Sequence, residues 1–217
     1  MGKKAFLILC LALVTIAAVT AGVFSMKNGY ASSTKQIKIP DSERFDLSGQ
    51  PFNGKKQAKN IIIEFGDYRC PWCYKFQNEV YPSIQKNLLD TGKAKFYYIN
   101  YTVLGPNSYK AANAAYYVSK KYPKSFFAFH DALFHAQQNE NKNWVTDTLL
   151  IRLAKKVIPK LDIRQFKSII KTNKYMRNVE SLENNAEKIG VRGTPTLLVN
   201  DKNVNPFNYE AIKKELK

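Results

Sequence analysis

The spacing of apolar and polar residues changes at one point of the chain, just before a pair of cysteines. Residues 61–65 form an apolar run that is rich in β-branched and aromatic side chains and is interrupted only by Glu64. Such a run, ended here by Gly66, is typical of a buried strand. From Cys73 onward, large apolar side chains recur at helical spacing. The pattern therefore predicts that Cys70 and Cys73 lie where a strand is followed by a helix.

The alternation of strand and helix continues after the cysteines. The helical pattern is interrupted at Pro82, which is expected to kink the helix or split it in two. It stops at Gly92, a residue suited to a helix C-terminus. Residues 94–101 then predict a second strand. Because a strand that follows a helical crossover in the same sheet runs parallel to the first, the chain begins as an α/β fold.

A long helical region follows, and then the chain returns to the sheet. Helices are predicted at residues 109–121, 125–138, 144–157 and 162–189. Asp162 is a suitable N-cap for the last of them. The pattern next predicts a strand at 196–200, a turn at 201–203 and a helix at 209–216. We therefore expect a helical insertion, at about residues 106–189, between two strands of the sheet.

The first thirty residues differ in composition from the rest. Lys3 and Lys4 precede an uncharged stretch, residues 5–24, which as a helix would be ~30 Å long, about the thickness of a bilayer core. Residues 1–30 are therefore either a cleaved signal peptide or a retained N-terminal membrane anchor, and the length of the stretch favours the anchor. An anchored chain would lie on the extracytoplasmic face of the membrane, and a cleaved one would be secreted or held in the cell wall.

A linker leads from this segment into the folded domain. Residues 31–54 are assigned to the linker; residues 36–40 alternate and predict a short edge strand closed by Pro40. Residues 55–217 are assigned to one domain. The chain is 45% hydrophobic and 13% aromatic, which is enough to build a core.

The chain is strongly positive, but its basic residues do not form a pattern typical of nucleic-acid binding. The formal net charge is +17, which can indicate a nucleic-acid partner, an anionic surface or only a well-solvated protein. The lysines are scattered along the predicted helices, and no basic and aromatic residues interleave in a binding module. We expect no nucleic-acid partner and a solvated surface that faces an anionic membrane or wall.

The cysteines are the candidate reactive residues of the chain. Of the three, Cys10 lies in the N-terminal segment, so the domain holds a single pair, Cys70 and Cys73. One pair with no spare thiol suits an oxidising compartment. A C-x-x-C pair by itself is compatible with redox chemistry, metal binding or a structural disulfide, but so short a loop gains little stability from a structural disulfide.

Three features of the surrounding sequence favour redox chemistry. The start of a helix leaves backbone N–H groups unpaired, and these stabilise a thiolate on Cys70. Pro71 suits an early helical position because its missing N–H would have no partner there. Pro195 precedes the strand predicted at 196–200, where a cis bond would expose backbone groups beside the cysteines.

Together these motifs resemble the DsbA-type thiol–disulfide oxidoreductases of the thioredoxin superfamily, in the membrane-associated form found in Gram-positive bacteria. The resemblance rests on Cys70-Pro71-Trp72-Cys73, on Glu64 six positions earlier, on the helical insertion and on residues 190–196. It covers roughly residues 55–217. It implies an α/β fold, namely a thioredoxin fold with a helical insertion subdomain between the central strands.

The resemblance also implies roles for the cysteines and the acid. Cys70 matches the exposed, substrate-facing cysteine, and Cys73 matches its buried partner in the redox-active disulfide. Glu64 matches the buried acid that passes protons to and from Cys73. Because it is flanked by apolar residues in a core strand, Glu64 is expected to point inward rather than to lie on the surface.

Four further residues are expected to shape the active site. Pro195 matches the family's cis-proline, and Thr194 just before it offers a backbone edge and a hydroxyl to the substrate and the thiolate. Pro71 and Trp72 shape the turn between the cysteines, and Trp72 is expected to form an apolar patch that faces the substrate.

Two positions depart from the family pattern. DsbA-type enzymes often carry a histidine between the cysteines, whose charge helps the thiolate, whereas this chain has Trp72. Some members carry an acid four residues after the buried cysteine, whereas this chain has Gln77. Both departures leave the oxidising strength of the pair open.

The implied function is the introduction of disulfide bonds into exported proteins. Its partners would be reduced exported protein substrates and a membrane quinone-linked thiol oxidase that reoxidises the pair; no cofactor is expected, and the protein would be a monomer. The alternatives are a disulfide reductase or isomerase and a non-catalytic, chaperone-like binding module. A metal site is disfavoured because His130 and His135, five residues apart on a predicted helix, point in different directions. Each is expected to lie on a polar face beside the aromatic residues of the insertion.

Overall fold

The computed structural model describes residues 44–139 and 141–217. The strands in these ranges are β1 (Asn53–Gly54), β2 (Asn60–Gly66), β3 (Ala94–Asn100), β4 (Thr196–Val199) and β5 (Lys202–Val204). The helices are α1 (Pro71–Glu79), α2 (Tyr81–Ile84), α3 (Pro106–Lys121), α4 (Phe126–His135), α5 (Asp147–Val157), α6 (Ile163–Thr172), α7 (Met176–Lys188) and α8 (Tyr209–Lys214). A π-helical turn (Gln85–Leu89) follows α2, and a 3-10 turn (Pro123–Ser125) precedes α4.

Some expectations fall outside these residues. The signal peptide or anchor at 1–30 and the edge strand at 36–40 lie outside the described part of the chain. Within the described part, no helix is both long and apolar enough to cross a bilayer.

The strands form one mixed sheet in the order β1-β3-β2-β4-β5. β2 runs parallel to β3 along its whole length, from Asn60 opposite Ala94 to Gly66 opposite Asn100, as the crossover rule predicts. β4 is antiparallel to β2, and β5 is antiparallel to β4. β2 is therefore the central strand, and the chain that leaves its C-terminal end emerges in the middle of the sheet.

Apolar cores cover both faces of β2. Ile62 belongs to the larger core, which the sheet shares with the helical insertion and α1. Ile63 and Phe65 belong to a smaller core on the other face, which includes Ile189 and Val191. Burial on both faces explains why the strand reads as a continuous apolar run. Since side chains alternate along a strand, Glu64 points to the same face as Ile62.

The helical insertion is confirmed, with one correction to its elements. Asp162 caps α6 as predicted, because its side chain accepts a hydrogen bond from the backbone N–H of Gln165 at 2.9 Å. The prediction of a single helix at 162–189 is wrong, since one helix ends with α6 and a new helix begins at α7. The break lies at Asn173, which has a left-handed backbone with φ of 48°, a conformation that asparagine tolerates better than most residues.

The C-terminal turn also differs from the prediction. The residues predicted as a turn at 201–203 mostly belong to β5, which pairs with β4 in a tight hairpin. Asn200 and Asp201 form its two-residue loop, with φ of 48° and 67°. Positive φ at both positions is the geometry that joins twisted antiparallel strands, and asparagine and aspartate favour it.

Candidate active site

The loop after β2 places Cys70 at the N-cap of α1. Cys70 has an extended backbone (φ −71°, ψ 120°), and Pro71 follows as the first helical residue. The N–H of Cys70 donates to the carbonyl of Asp67 at 3.0 Å, and its carbonyl accepts from the N–H of Tyr74 at 3.0 Å. The sequence therefore correctly located Cys70 and Cys73 at a strand-to-helix junction. The predicted split of the helix near Pro82 is confirmed as well, since α1 ends at Glu79 and α2 begins at Tyr81.

The two thiols differ in environment. Both cysteines are free, Cys73 is fully buried, and Cys70 is 5% exposed. Cys70 is thus less exposed than its match to the exposed, substrate-facing cysteine of the family implies. One contact that covers it comes from the loop before β4, where the Cys70 thiol donates to the carbonyl of Thr194 at 3.5 Å.

The pKa values of the two thiols are shifted in opposite directions. The hydrogen bond from the Cys73 thiol is the main cause that lowers the pKa of Cys70 from 9.0 to about 6. Burial opposes this shift, and hydrogen bonds from the Thr194 side chain and from the N–H groups of Cys73 and Trp72 reinforce it. Burial, the hydrogen bond to Cys70 and the nearby charge of Glu64 raise the pKa of Cys73 well above its usual value. Near neutral pH, Cys70 is therefore a thiolate and Cys73 remains a protonated thiol that donates to it.

Glu64 points inward, as expected. It lies in the middle of β2 with no exposed surface, and neither of its carboxyl oxygens has a hydrogen-bond partner. Burial, and secondarily the charge of Cys70, raises the pKa of Glu64 well above its usual value. The surface location considered as an alternative is therefore wrong. A buried carboxyl whose pKa is raised in this way is suited to proton exchange.

The Thr194–Pro195 peptide bond is cis, as the sequence predicts. Thr194 meets Cys70 through its backbone carbonyl, which accepts from the thiol, and through its side chain, whose hydrogen bond lowers the pKa of Cys70. The hydroxyl of Thr196 donates to the carbonyl of Gly193 at 2.7 Å, which closes the loop upon itself. The predicted proximity of the cis-proline loop to the cysteines is thus present in the structure.

Asp67 is a positioning residue that the sequence did not reveal. Its buried carboxylate accepts hydrogen bonds from the N–H groups of Arg69 at 2.8 Å, Val103 at 2.8 Å and Leu104 at 3.2 Å. It therefore ties the loop that carries Cys70 to the segment after β3. An aspartate just after a glycine is a common turn residue, and this was the signal in the sequence that could have pointed to the role of Asp67.

Gln137 is a second residue that the sequence did not reveal. It lies just beyond the end of α4, and its amide N–H group donates to the carbonyls of Tyr68 at 2.7 Å and Cys70 at 3.1 Å. The helical insertion thus holds the backbone of the active-site loop. No local pattern indicates this, because the partners are more than sixty positions apart.

His130 occupies a different environment from the one predicted. It is fully buried among aromatic rings rather than on a polar face, and burial lowers its pKa to about 3. Its ring nitrogens lie 3.2 Å from the Tyr68 hydroxyl and 3.4 Å from the Gln77 amide oxygen. The Gln77 amide N–H group in turn donates to Asp131 at 2.9 Å. Gln77, the position that departs from the family pattern, therefore joins α1 to α4.

The two histidines do not converge on a metal site. His135 is exposed, and its ring faces the carbonyl of Asp131. In the ranges that the structure describes, no three histidine, cysteine or acidic residues are grouped to hold a metal ion.

We expect Gly66→Ala to destabilise the protein by about 1–3 kcal/mol, the usual cost of overpacking. An added Cβ would lie 2.6 Å from the Tyr98 ring and 3.1 Å from a carboxyl oxygen of Glu64. Gly193→Ala is the matched control, since no atom lies within 4 Å of its added Cβ. Denaturant unfolding of both variants measures the difference; equal stabilities would show that the space around Glu64 is not tightly packed.

A comparison with known protein families is consistent with this geometry. A family model described as Thioredoxin matches residues 46–217. The match includes the central strand, both cysteines, the helical insertion and the cis-proline loop. The chain therefore belongs to the thioredoxin family.

Individual relatives narrow the assignment. Disulfide bond formation protein D of Bacillus subtilis (strain 168) is 37% identical over 191 residues, which cover 86% of each chain. The crystal structure of oxidised BdbD from Bacillus subtilis, also 37% identical, covers 78% of this chain and 91% of that one with a TM-score of 0.74. Chlamydia trachomatis DsbA, 22% identical, covers 76% and 88% with a TM-score of 0.68 and shares the fold. The chain is a thiol–disulfide oxidoreductase of the DsbA type.

Proposed function

We propose that this oxidoreductase introduces disulfide bonds into exported proteins through the Cys70–Cys73 pair. The observation that carries the proposal is the opposite shift of the two pKa values, lowered for Cys70 and raised for Cys73. A low pKa stabilises the reduced pair, which makes the disulfide a better oxidant, and makes Cys70 a good leaving group.

The reaction cycle begins with the Cys70–Cys73 disulfide. A substrate thiolate attacks the Cys70 sulfur, the bond between the cysteines breaks, and Cys73 leaves as a thiolate that takes up a proton. A second substrate thiolate then attacks the substrate sulfur of the mixed disulfide and releases Cys70 as a thiolate. The substrate loses two electrons and gains a disulfide, and the enzyme pair gains those two electrons.

Glu64 and the cis-proline loop serve this cycle. Glu64 supplies the proton that Cys73 takes up, since it is a buried acid whose charge acts on that thiol. Thr194 and Pro195 present a backbone edge on which an extended substrate segment pairs beside Cys70. Pro71 and Trp72 set the turn that directs the Cys70 sulfur toward the substrate.

The pKa of Cys70 sets the size of the oxidising effect. At pH 7 a thiol with a pKa of about 6 is mostly ionised, which stabilises the reduced pair by about 1.4 kcal/mol, or ~30 mV. A pKa of about 3.5 would contribute ~100 mV at the same pH. With tryptophan in place of histidine at position 72, we therefore expect a moderate oxidant rather than an extreme one.

Exposed apolar side chains near the active site favour protein substrates. Among the described residues, the large hydrophobic side chains that remain exposed are Trp72, Tyr74, Val103 and Phe207. Trp72 and Tyr74 flank the buried cysteine in α1. The backbone N–H of Val103 donates a hydrogen bond to Asp67, and Phe207 packs on Trp72 with ring centroids 5.9 Å apart. Exposed apolar patches of this kind mark protein interaction surfaces.

The location and partners follow from the same assignment. We assign residues 1–30 to a signal peptide or anchor, 31–54 to a linker and entry segment that ends in β1 of the sheet, and 55–217 to the oxidoreductase domain, which would act on the extracytoplasmic side of the membrane. After each cycle the reduced pair needs an electron acceptor, and a quinone-linked thiol oxidase in the membrane is the partner we propose.

A redox titration of the full-length chain tests the proposal. In glutathione buffers we expect a reduction potential above about −250 mV, and the thiolate absorbance of Cys70 should have its midpoint near pH 6. The protein should also oxidise a reduced, unfolded test protein. A Cys70 pKa above about 8 together with a potential below about −250 mV would instead indicate a reductase.

A further inference from the structure

A lysine lies between two exposed aromatic rings beside the active site. The Lys75 ammonium is 5.5 Å from the centre of the Trp72 ring and 5.7 Å from that of the Phe207 ring. The two rings contact each other edge to face. We call these three side chains the cation clamp. Trp72 is 45% exposed and Phe207 is 37% exposed, so a bound segment can reach both.

Phe207 is held in this position by its own turn. Its backbone N–H donates to the Asn205 side chain at 2.9 Å, and Asn208 N–H donates to the Asn205 carbonyl at 3.1 Å. The Asn208 side chain caps α8 by accepting from the N–H of Ala211 at 3.0 Å. Local hydrogen bonds therefore fix an exposed ring against Trp72. A large apolar ring kept exposed in a fixed turn is suited to contact with another molecule.

Among the described residues, the charge of Lys75 is only weakly compensated. The acid that pairs with it there is Glu79, with Nζ and Oε2 separated by 3.8 Å and both side chains about half exposed. Such an exposed pair contributes at most about 1 kcal/mol. A carboxylate on a bound segment can therefore replace or join Glu79 at the ammonium.

A second surface beside the active site is uncharged among the described residues. A groove of about 400 Å³ next to Pro71 and Tyr74 is lined by the amide side chains of Gln137, Gln138, Asn139 and Asn141. Amides donate and accept hydrogen bonds without preferring one sign of charge. Among the residues that the structure describes, the lining of this groove thus offers no charge to a bound segment, whereas the cation clamp offers that of Lys75.

We propose that Lys75, Trp72 and Phe207 form a specificity site that favours substrate segments with a carboxylate beside the reacting cysteine. The inference rests on the proposed oxidase function, since it concerns which thiols reach Cys70. Trp72 and Phe207 contact the apolar part of the segment, and Lys75 attracts its acid. Lys75 and Phe207 act as specificity residues and take no part in the thiol exchange.

Three peptides that differ in one residue test the inference. Each carries a single cysteine with aspartate, asparagine or lysine next to it, and the rate constant for reduction of the oxidised full-length protein is measured for each. Dividing each rate by that of the same peptide with a small neutral disulfide removes differences in thiol reactivity. We expect the aspartate peptide to react about fivefold faster than the lysine peptide, a difference typical of one or two exposed ionic contacts.

Two variants and a matched control locate the effect. In Lys75→Gln the ratio of the aspartate rate to the lysine rate should fall to between about one and two, and in Phe207→Ala it should fall part of the way. Lys120→Gln is the control, because Lys120 also lies over a ring, that of Tyr116, at 5.1 Å. It stands near the far end of α3, about 20 Å along that helix from Pro106, and should leave the ratio unchanged.

The outcomes separate the inference from the function on which it rests. Equal rates for the three peptides, or a ratio that Lys75→Gln leaves unchanged, would overturn the specificity site while the oxidase function stands. No reaction with any peptide, the asparagine one included, would overturn the oxidase function and the inference with it. A ratio that falls in Lys75→Gln and also falls toward one at ~1 M salt, where charges are screened within about 3 Å, supports the inference.

Discussion

Replacement of Cys70 by serine is expected to reduce the rate of substrate oxidation at least about a thousandfold, to the uncatalysed background, as when an enzyme loses its nucleophile. The disulfide cannot form without this sulfur. Cys73 cannot take over, because it has no exposed surface and its pKa is raised by burial. The measurement is the rate at which the full-length protein oxidises a reduced, unfolded substrate protein.

The partner variant Cys73→Ser distinguishes the roles of the two cysteines. Its reduced form should attack a disulfide-containing substrate through Cys70 and then remain as a mixed disulfide, because the thiol that would release it is missing. A non-reducing gel should show this complex, and a reductant should dissolve it. Retained oxidation in Cys70→Ser, or trapping by Cys70→Ser rather than by Cys73→Ser, would reverse the assignment.

Replacement of Glu64 by glutamine is expected to slow substrate oxidation about tenfold to a hundredfold, near the lower end of what general acid–base catalysis supplies. Glutamine has nearly the same shape but cannot give a proton to Cys73 when the disulfide opens. Glu183→Gln is a suitable control, since it also replaces a buried carboxyl by an amide, but that carboxyl accepts from the N–H of Thr102 at 2.7 Å. That variant should lose stability with little change in rate.

The same substitution should change how stability depends on pH. Burial raises the pKa of Glu64 in the folded protein above its usual value of 4.5, so the folded state holds this proton more tightly than the unfolded chain does. Wild-type stability should therefore fall, relative to Glu64→Gln, as pH rises from 4.5 toward the folded pKa, by about 1.4 kcal/mol per pH unit. The variant should be the more stable protein at neutral pH. Parallel stability curves from pH 4 to 8 for the two proteins would contradict the burial of an acid without a partner.

Several parts of the active site could be predicted because they are encoded locally. The change from strand to helical spacing located Cys70 and Cys73, and Pro71 indicated the first helical turn. Glu64 was predicted to be buried because its neighbours on a two-sided strand are apolar. Each of these predictions uses residues within one turn or one strand of each other.

Other parts of the site are made by residues far apart in sequence. Gln137 holds the active-site loop, His130 fits beside Tyr68, and Phe207 packs on Trp72. The break at Asn173 was also missed, because the apolar spacing on both sides of it is helical and asparagine only permits a left-handed turn without requiring one.

The sequence by itself determined the elements, the strand-to-helix junction and the type of chemistry at the cysteine pair, because side-chain periodicity, helix-end preferences and the C-x-x-C spacing are local properties. Only the tertiary structure decided how that chemistry is tuned. The pKa of Cys70 depends on where Cys73 and Thr194 lie around its sulfur, and the cation clamp exists because the chain end that carries Phe207 packs beside α1. Hydrogen bonds and charges act over a few ångströms of space, and the packing of the elements sets those distances.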